Sequence, residues 1–85
     1  MNIYVLKPKD NEITQNVWKT YYDKCHGFVV IAENNNMARK MCSRDPHVGD
    51  EGRIVWMDPL YTSCHLVGLA KSTRREMVLT NNMPG

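Results

Sequence analysis

Three cysteines and three histidines hold most of the nucleophilic and metal-binding chemistry open to this chain of 85 residues. Four of the six form two Cys-His dipeptides, Cys25-His26 and Cys64-His65. With Cys42 or His47 added, these are the soft donors that zinc takes. Structural zinc, however, collects four ligands at tetrahedral positions, usually in pairs separated by two to four residues. Adjacent side chains on an extended backbone point to opposite faces instead. Cys42 also falls on the apolar stripe of a helix, so the spacing argues against a metal, and no cofactor is expected. A cysteine nucleophile needs a base within hydrogen-bond reach and a third group to orient it, and no local segment supplies all three. The chain has no glycine-rich phosphate loop, no H-E-x-x-H and no G-x-S-x-G. The expectation is a protein that is not an enzyme, with cysteine-dependent catalysis as the weakest alternative. An odd, sparse cysteine set argues against a secreted disulfide framework. Reduced thiols used as small apolar fillers are the simpler reading.

Charge and aromatic content offer binding rather than catalysis. Arg39, Lys40 and Arg44 are expected on the outer face of a helix, with Arg74 and Arg75 ahead of the last strand, and together they could form a basic patch. Asp50 and Glu51, with Asp58, could form an acidic one. Either could meet a charged protein and steer encounter; the competing reading is a solvated face. Trp18, Tyr21, Tyr22 and Trp56 could stack on bases. Packing in the core with polar tips outward is the favoured reading, with Tyr21 and Tyr22 the two most open to a partner. A net charge of +2 is too small to imply direct nucleic-acid binding.

The elements that must position these groups are unevenly legible. Residues 3–7 read as a strand stopped by Pro8. Residues 9–24 carry a helical stripe of Ile13, Val17, Trp18, Tyr21 and Tyr22 among poor helix formers, so helix and ordered loop both stay open. Phe28-Val29-Val30-Ile31-Ala32 is continuously apolar, the mark of a central strand covered on at least one face. Asn34 or Asn35 can cap a following helix over 35–44. That helix has Met37, Ala38, Met41 and Cys42 on its apolar stripe, and Pro46 ends it. Gly49 and Gly52 suit turns that need positive φ. Residues 53–57 read as a third strand and residues 75–80 as a last one. Thr62-Ser63 are expected to cap one helical turn through Cys64, His65 and Leu66. Residues 81–85 are expected to fray.

This order predicts one compact α+β domain over 1–85: a mostly antiparallel sheet of three to four strands with one main helix on one face. A parallel crossover from the second strand to the third is the alternative. An apolar content of 42% and charged content of 24% exclude global disorder. A chain this small buries only roughly 60% of its unfolded surface. Small cores are often reinforced by a disulfide, a metal or a second subunit, so a homo-oligomer stays open. No apolar run approaches the ~20 residues that span a bilayer. The start, Met1-Asn2-Ile3-Tyr4-Val5, lacks the features of a signal peptide, and a cytoplasmic location is expected.

Gly27-Phe28-Val29-Val30-Ile31-Ala32, then Ala38-Arg39, Gly49-Asp50-Glu51-Gly52, Val55-Trp56-Met57-Asp58-Pro59 and Thr62-Ser63-Cys64 form a string over roughly residues 20–68. It resembles a family of small uncharacterised bacteriophage proteins. The family brings no catalytic residues. What the resemblance implies is a phage protein in the host cytoplasm that binds and inhibits a host antiviral factor, such as a CRISPR–Cas component, by protein–protein contact. The alternatives are an oligomeric sponge for a signalling nucleotide, with Arg39, Arg44, Arg74 or Arg75 on phosphate, and a virion or accessory structural protein.

Overall fold

The first two strands lie close to their expected places. β1 spans Asn2–Pro8 and β2 spans Lys24–Ala32 in a computed structural model that describes residues 1–19 and 24–83. β2 is longer than expected because Cys25 and His26 also belong to it. The helix after it, α2, runs Asn35–Ser43, and the Asn34 side chain caps it by accepting from the Met37 amide at 2.8 Å. The 9–19 stretch settles as a loop with one helical turn, α1, at Gln15–Trp18. Asn11 does start a turn there: its Oδ1 accepts from the amides of Ile13 and Thr14. The buried Thr14 hydroxyl closes the loop by donating to the Lys9 carbonyl.

Two expectations are reversed in the next stretch. Residues expected as a third strand form a helical turn, α3, at Ile54–Met57. Thr62-Ser63, expected to cap a helical turn, instead open strand β3, Thr62–Leu69. In 54–57 the neighbours Val55 and Trp56 are both buried while Ile54 is 81% exposed, which is not the alternation of a strand. Asp58 precedes Pro59, takes the extended geometry that proline imposes, and stops the turn. Of the two glycines before α3, only Gly52 uses positive φ, at 81°. The last strand, β4, runs Glu76–Met83. Residues 81–83, expected to fray, therefore continue the sheet.

The sheet order is β3-β1-β2-β4, with every neighbouring pair antiparallel. β2 and β3 both flank β1 antiparallel to it, so they run parallel to each other with β1 between them. The alternative of a parallel crossover into residues 53–57 is not found, because those residues form α3 and every paired strand is antiparallel. The chain then passes from one edge of the sheet to the other through residues 70–75. Met1 anchors that passage by accepting from the Ala70 amide at 2.8 Å, while its ammonium reaches the carbonyls of Ala70 and Ser72.

The fold class is α+β, but α2 shares one face of the sheet with two single-turn helices. Trp56 is fully buried at the centre of this layer. It meets Phe28 edge-on at 4.7 Å and Trp18 at 5.6 Å between ring centres, the geometry aromatic pairs prefer. Leu6, Val30, Ala38 and Cys42 complete the cluster with no exposure. Burial of side chains such as Phe28, Leu6 and Val30 contributes about 1.5–3 kcal/mol each.

Candidate functional site

The charged residues expected to form contact patches divide into buried and exposed groups. Arg39 is not on the outer face of α2: it is 8% exposed. Its guanidinium donates to the Trp56 carbonyl at 3.1 Å, the Thr62 hydroxyl at 2.8 Å, the Thr62 carbonyl at 3.0 Å and Asn35 Oδ1 at 3.2 Å. The side chain therefore ties α2 to α3 and β3 and cannot contact a partner. Glu51 is likewise 6% exposed. It accepts from the amides of Cys25 at 3.1 Å and Gly49 at 2.8 Å, and from the Trp56 indole at 2.8 Å. The two ions thus hold Trp56 from its backbone and from its ring. Both are satisfied by neutral dipoles, and the acidic patch loses a member.

Lys40, Arg44, Asp50 and Arg74 are exposed as expected. Arg75 is exposed but engaged, with Nε 2.6 Å and Nη2 2.7 Å from the two oxygens of Glu33. These bonds hold the Glu33 carboxyl down at about 2. Arg75 sits by the residue that precedes the α2 cap, whereas Arg44 is the C-cap of α2. The helix and strand cations therefore lie toward opposite ends of the helix rather than in one patch. Tyr21 and Tyr22 lie outside the described residues.

The thiols are placed as packing groups. Cys25 and Cys42 are fully buried and Cys64 is half-buried. Burial pushes all three thiols up, Cys42 furthest; at Cys64 the Arg39 cation opposes the rise. Raised thiols are poor nucleophiles at neutral pH. Among the described residues, no group of three or more His, Cys, Asp or Glu side chains is placed to hold a metal ion. His47 Nδ1 sits 2.8 Å from Asp45 on the surface. No described helix is long and apolar enough to cross a membrane.

What charge-based reasoning missed is apolar. β3 is an outer strand, and on it Leu66 and Val67 are each 59% exposed and Leu69 is 79% exposed. Val67 is the extra residue of a bulge, because Ile3 pairs with Gly68 while Tyr4 pairs with Leu66. The second surface is the sheet face opposite the helices. By strand register it carries Ile3 and Ile31 in one row, with Glu76 at its end, and Val5, Val29 and Leu79 in the next. Lys7 and Ser63 follow at the far end. A cavity of about 390 Å³ is lined by Val5, Val29, Leu79 and Gly27, by Lys7, Asp10 and His26, and also by Leu6, Phe28 and Trp18 of the helix-side layer. One sequence signal pointed here: the unbroken apolar run 28–32 supplies both faces of β2. Comparison of the chain with protein-family models, curated proteins and solved structures finds no match.

Proposed function

We propose that this chain is a non-catalytic binding protein that acts by direct contact with a protein partner, and that the outer edge of β3 makes the contact. The observation that carries the reading is an apolar edge strand without the usual protection. Edge strands are normally blunted by charge, proline or cover. Thr62–Leu69 contains no Lys, Arg, Asp, Glu or Pro. α2 covers its start through the bonds of Arg39 and Asn35 to the Thr62 and Cys64 carbonyls, and beyond them its one device is the bulge at Val67. β4, at the other edge, begins with Glu76 behind Arg74 and Arg75. An edge such as β3 suits addition of a partner strand, with backbone bonds giving affinity and Leu66 and Leu69 filling pockets. Lys40, Arg44, Asp50 and Arg74 remain available to steer encounter. A host antiviral factor as the partner follows from the phage-like string alone.

The test is capture from host lysate by the tagged full chain, beside Val67→Lys and Leu69→Asp. Both positions are largely exposed, so the substitutions should leave folding within about 0.5 kcal/mol of wild type. A specific protein retained by the wild type and lost by both variants supports the reading. Recovery of no specific protein, or capture unchanged by both variants, overturns it.

A second reading has one observation in its favour. The cavity of about 390 Å³ lies within the range of small-ligand sites, roughly 300–1,000 Å³. Arg39, named for phosphate, is buried away, and Asp10 also lines the cavity. A nucleotide panel that leaves the melting temperature unmoved would remove the sponge reading.

A further inference from the structure

The face of the sheet opposite the helices is unsuited to permanent exposure. Solvated antiparallel sheets alternate, with apolar residues toward the core and polar residues outward. Here Ile3 faces Ile31 across β1 and β2, Val5 faces Val29, and Val29 faces Leu79 across β2 and β4. Leu79 is 59% exposed, Ile3, Val5 and Val29 are half-buried, and Ile31 is 8% exposed. The opposite side of the same strands, with Leu6, Phe28 and Val30, is already buried under the helices. β2 is therefore apolar on both faces, as in strands covered twice. We propose that this face is covered by the same face of a second copy of the chain, about a two-fold axis that lies in the interface and runs across the strands.

Three observations select a second copy and this axis. The charged groups on the face are asymmetric: Lys7 on β1 stands at one end of the apolar rows and Glu76 on β4 at the other, while His65 lies at the β3 side of the central row beside Val5. Lys7 and Glu76 are exposed, and among the described residues neither has an ion-pair partner. An axis across the strands brings Lys7 of each copy to the Glu76 end of the other. An axis along the strands would gather two lysines at one end and two glutamates at the other. The face thus has charge complementarity to itself, as a two-fold contact requires.

The size also fits. Four strands at ~4.8 Å spacing and about eight residues at ~3.3 Å rise give a plan area on the order of 500 Å². Side-chain relief raises this toward the roughly 600–800 Å² per partner of a small stable interface. Finally, the need is constant: both faces of β2 come from one uninterrupted run, so cover is required wherever the chain is folded. Chains of this size commonly meet that need by oligomerising. The inference does not depend on β3, whose outer edge stays free in such a dimer.

The experiment is the mass of the full chain by sedimentation equilibrium from about 1 to about 100 μM, at neutral pH and low salt. A species near twice the monomer's 9.8 kDa is expected. Lys7→Glu or Glu76→Lys alone should weaken the dimer about tenfold, and the two together should restore it to within about threefold. Both positions are exposed, so these variants should fold. Val29→Lys, at the centre of the face, should give a monomer wherever it folds. A monomer throughout the range overturns the proposal, as does a dimer whose affinity none of the charge variants changes.

Discussion

Replacing Arg39 by alanine separates the observed role of this residue from the one its sequence position suggests. On an outer helix face the substitution would cost less than about 0.5 kcal/mol, because surface changes of this kind are nearly neutral. In the structure, truncation removes four hydrogen bonds and strands two buried carbonyls, those of Trp56 and Thr62. The Thr62 hydroxyl keeps its own bond to the Val55 carbonyl at 2.8 Å, so it is not orphaned. Each buried acceptor left without a donor costs about 1–3 kcal/mol, so the two place the variant about 2–6 kcal/mol below wild type. A domain of this length is stable by only about 4–13 kcal/mol. With a urea dependence of about 1 kcal/mol per molar, the midpoint should fall by about 2 M or more. The assay is urea unfolding followed by far-ultraviolet circular dichroism, at one protein concentration for all variants. Lys40→Ala, one residue along and exposed, is the control and should shift the midpoint by no more than about 0.5 M. An Arg39→Ala midpoint as close to wild type as that of Lys40→Ala would refute the assignment of Arg39 as the tie between α2, α3 and β3.

Two further outcomes concern titration. Glu33 is held at about 2 against an ordinary 4.5 by its bonds to Arg75, so its folded-state value is depressed. The contribution of the pair is therefore fully present above about pH 4.5 and is lost as the pH falls from there through about 2. Carbon-detected NMR should find the carboxyl midpoint near 2, returning toward 4.5 in Arg75→Gln; a wild-type midpoint of 4.5 would contradict the bidentate pair. The pair is exposed, so the titration and not the unfolding curve is the place to look. The thiols give the second outcome. Cys25 and Cys42 are fully buried and raised. A thiol reagent at neutral pH should therefore modify at most Cys64 in the folded protein and all three cysteines in denaturant. Rapid labelling of Cys42 under native conditions would show that the α2–sheet layer opens.

The legible part of the fold is the part where several local signals agree. At 27–43 a β-branched run, an Asn cap and a helical stripe all point the same way, and β2 and α2 lie where they were expected. At 53–66 there is no such agreement. A four-residue apolar run does not distinguish a strand from a buried turn. What makes Ile54–Met57 helical is that Trp56 must enter the layer between Phe28 and Trp18. What makes Thr62–Leu69 a strand is its pairing with β1, more than fifty residues earlier in the chain; strand preference is set by such distant neighbours. The charged sites fail for a related reason. Helical periodicity gives the direction in which a side chain leaves the backbone, not where its far end comes to rest. Arg39 leaves beside the buried stripe and its long stem carries the guanidinium back to α3 and β3. Glu51 stands in a turn with no period at all, and only the folded positions of Cys25, Gly49 and Trp56 make it internal. Arg39 and Glu51 are used up in fixing Trp56, so the charged patches lose two members, and exposed apolar residues stand on β3 and β4 beside the remaining charges. The apolar side has its clearest mark in the run 28–32, which places apolar side chains on both faces of β2.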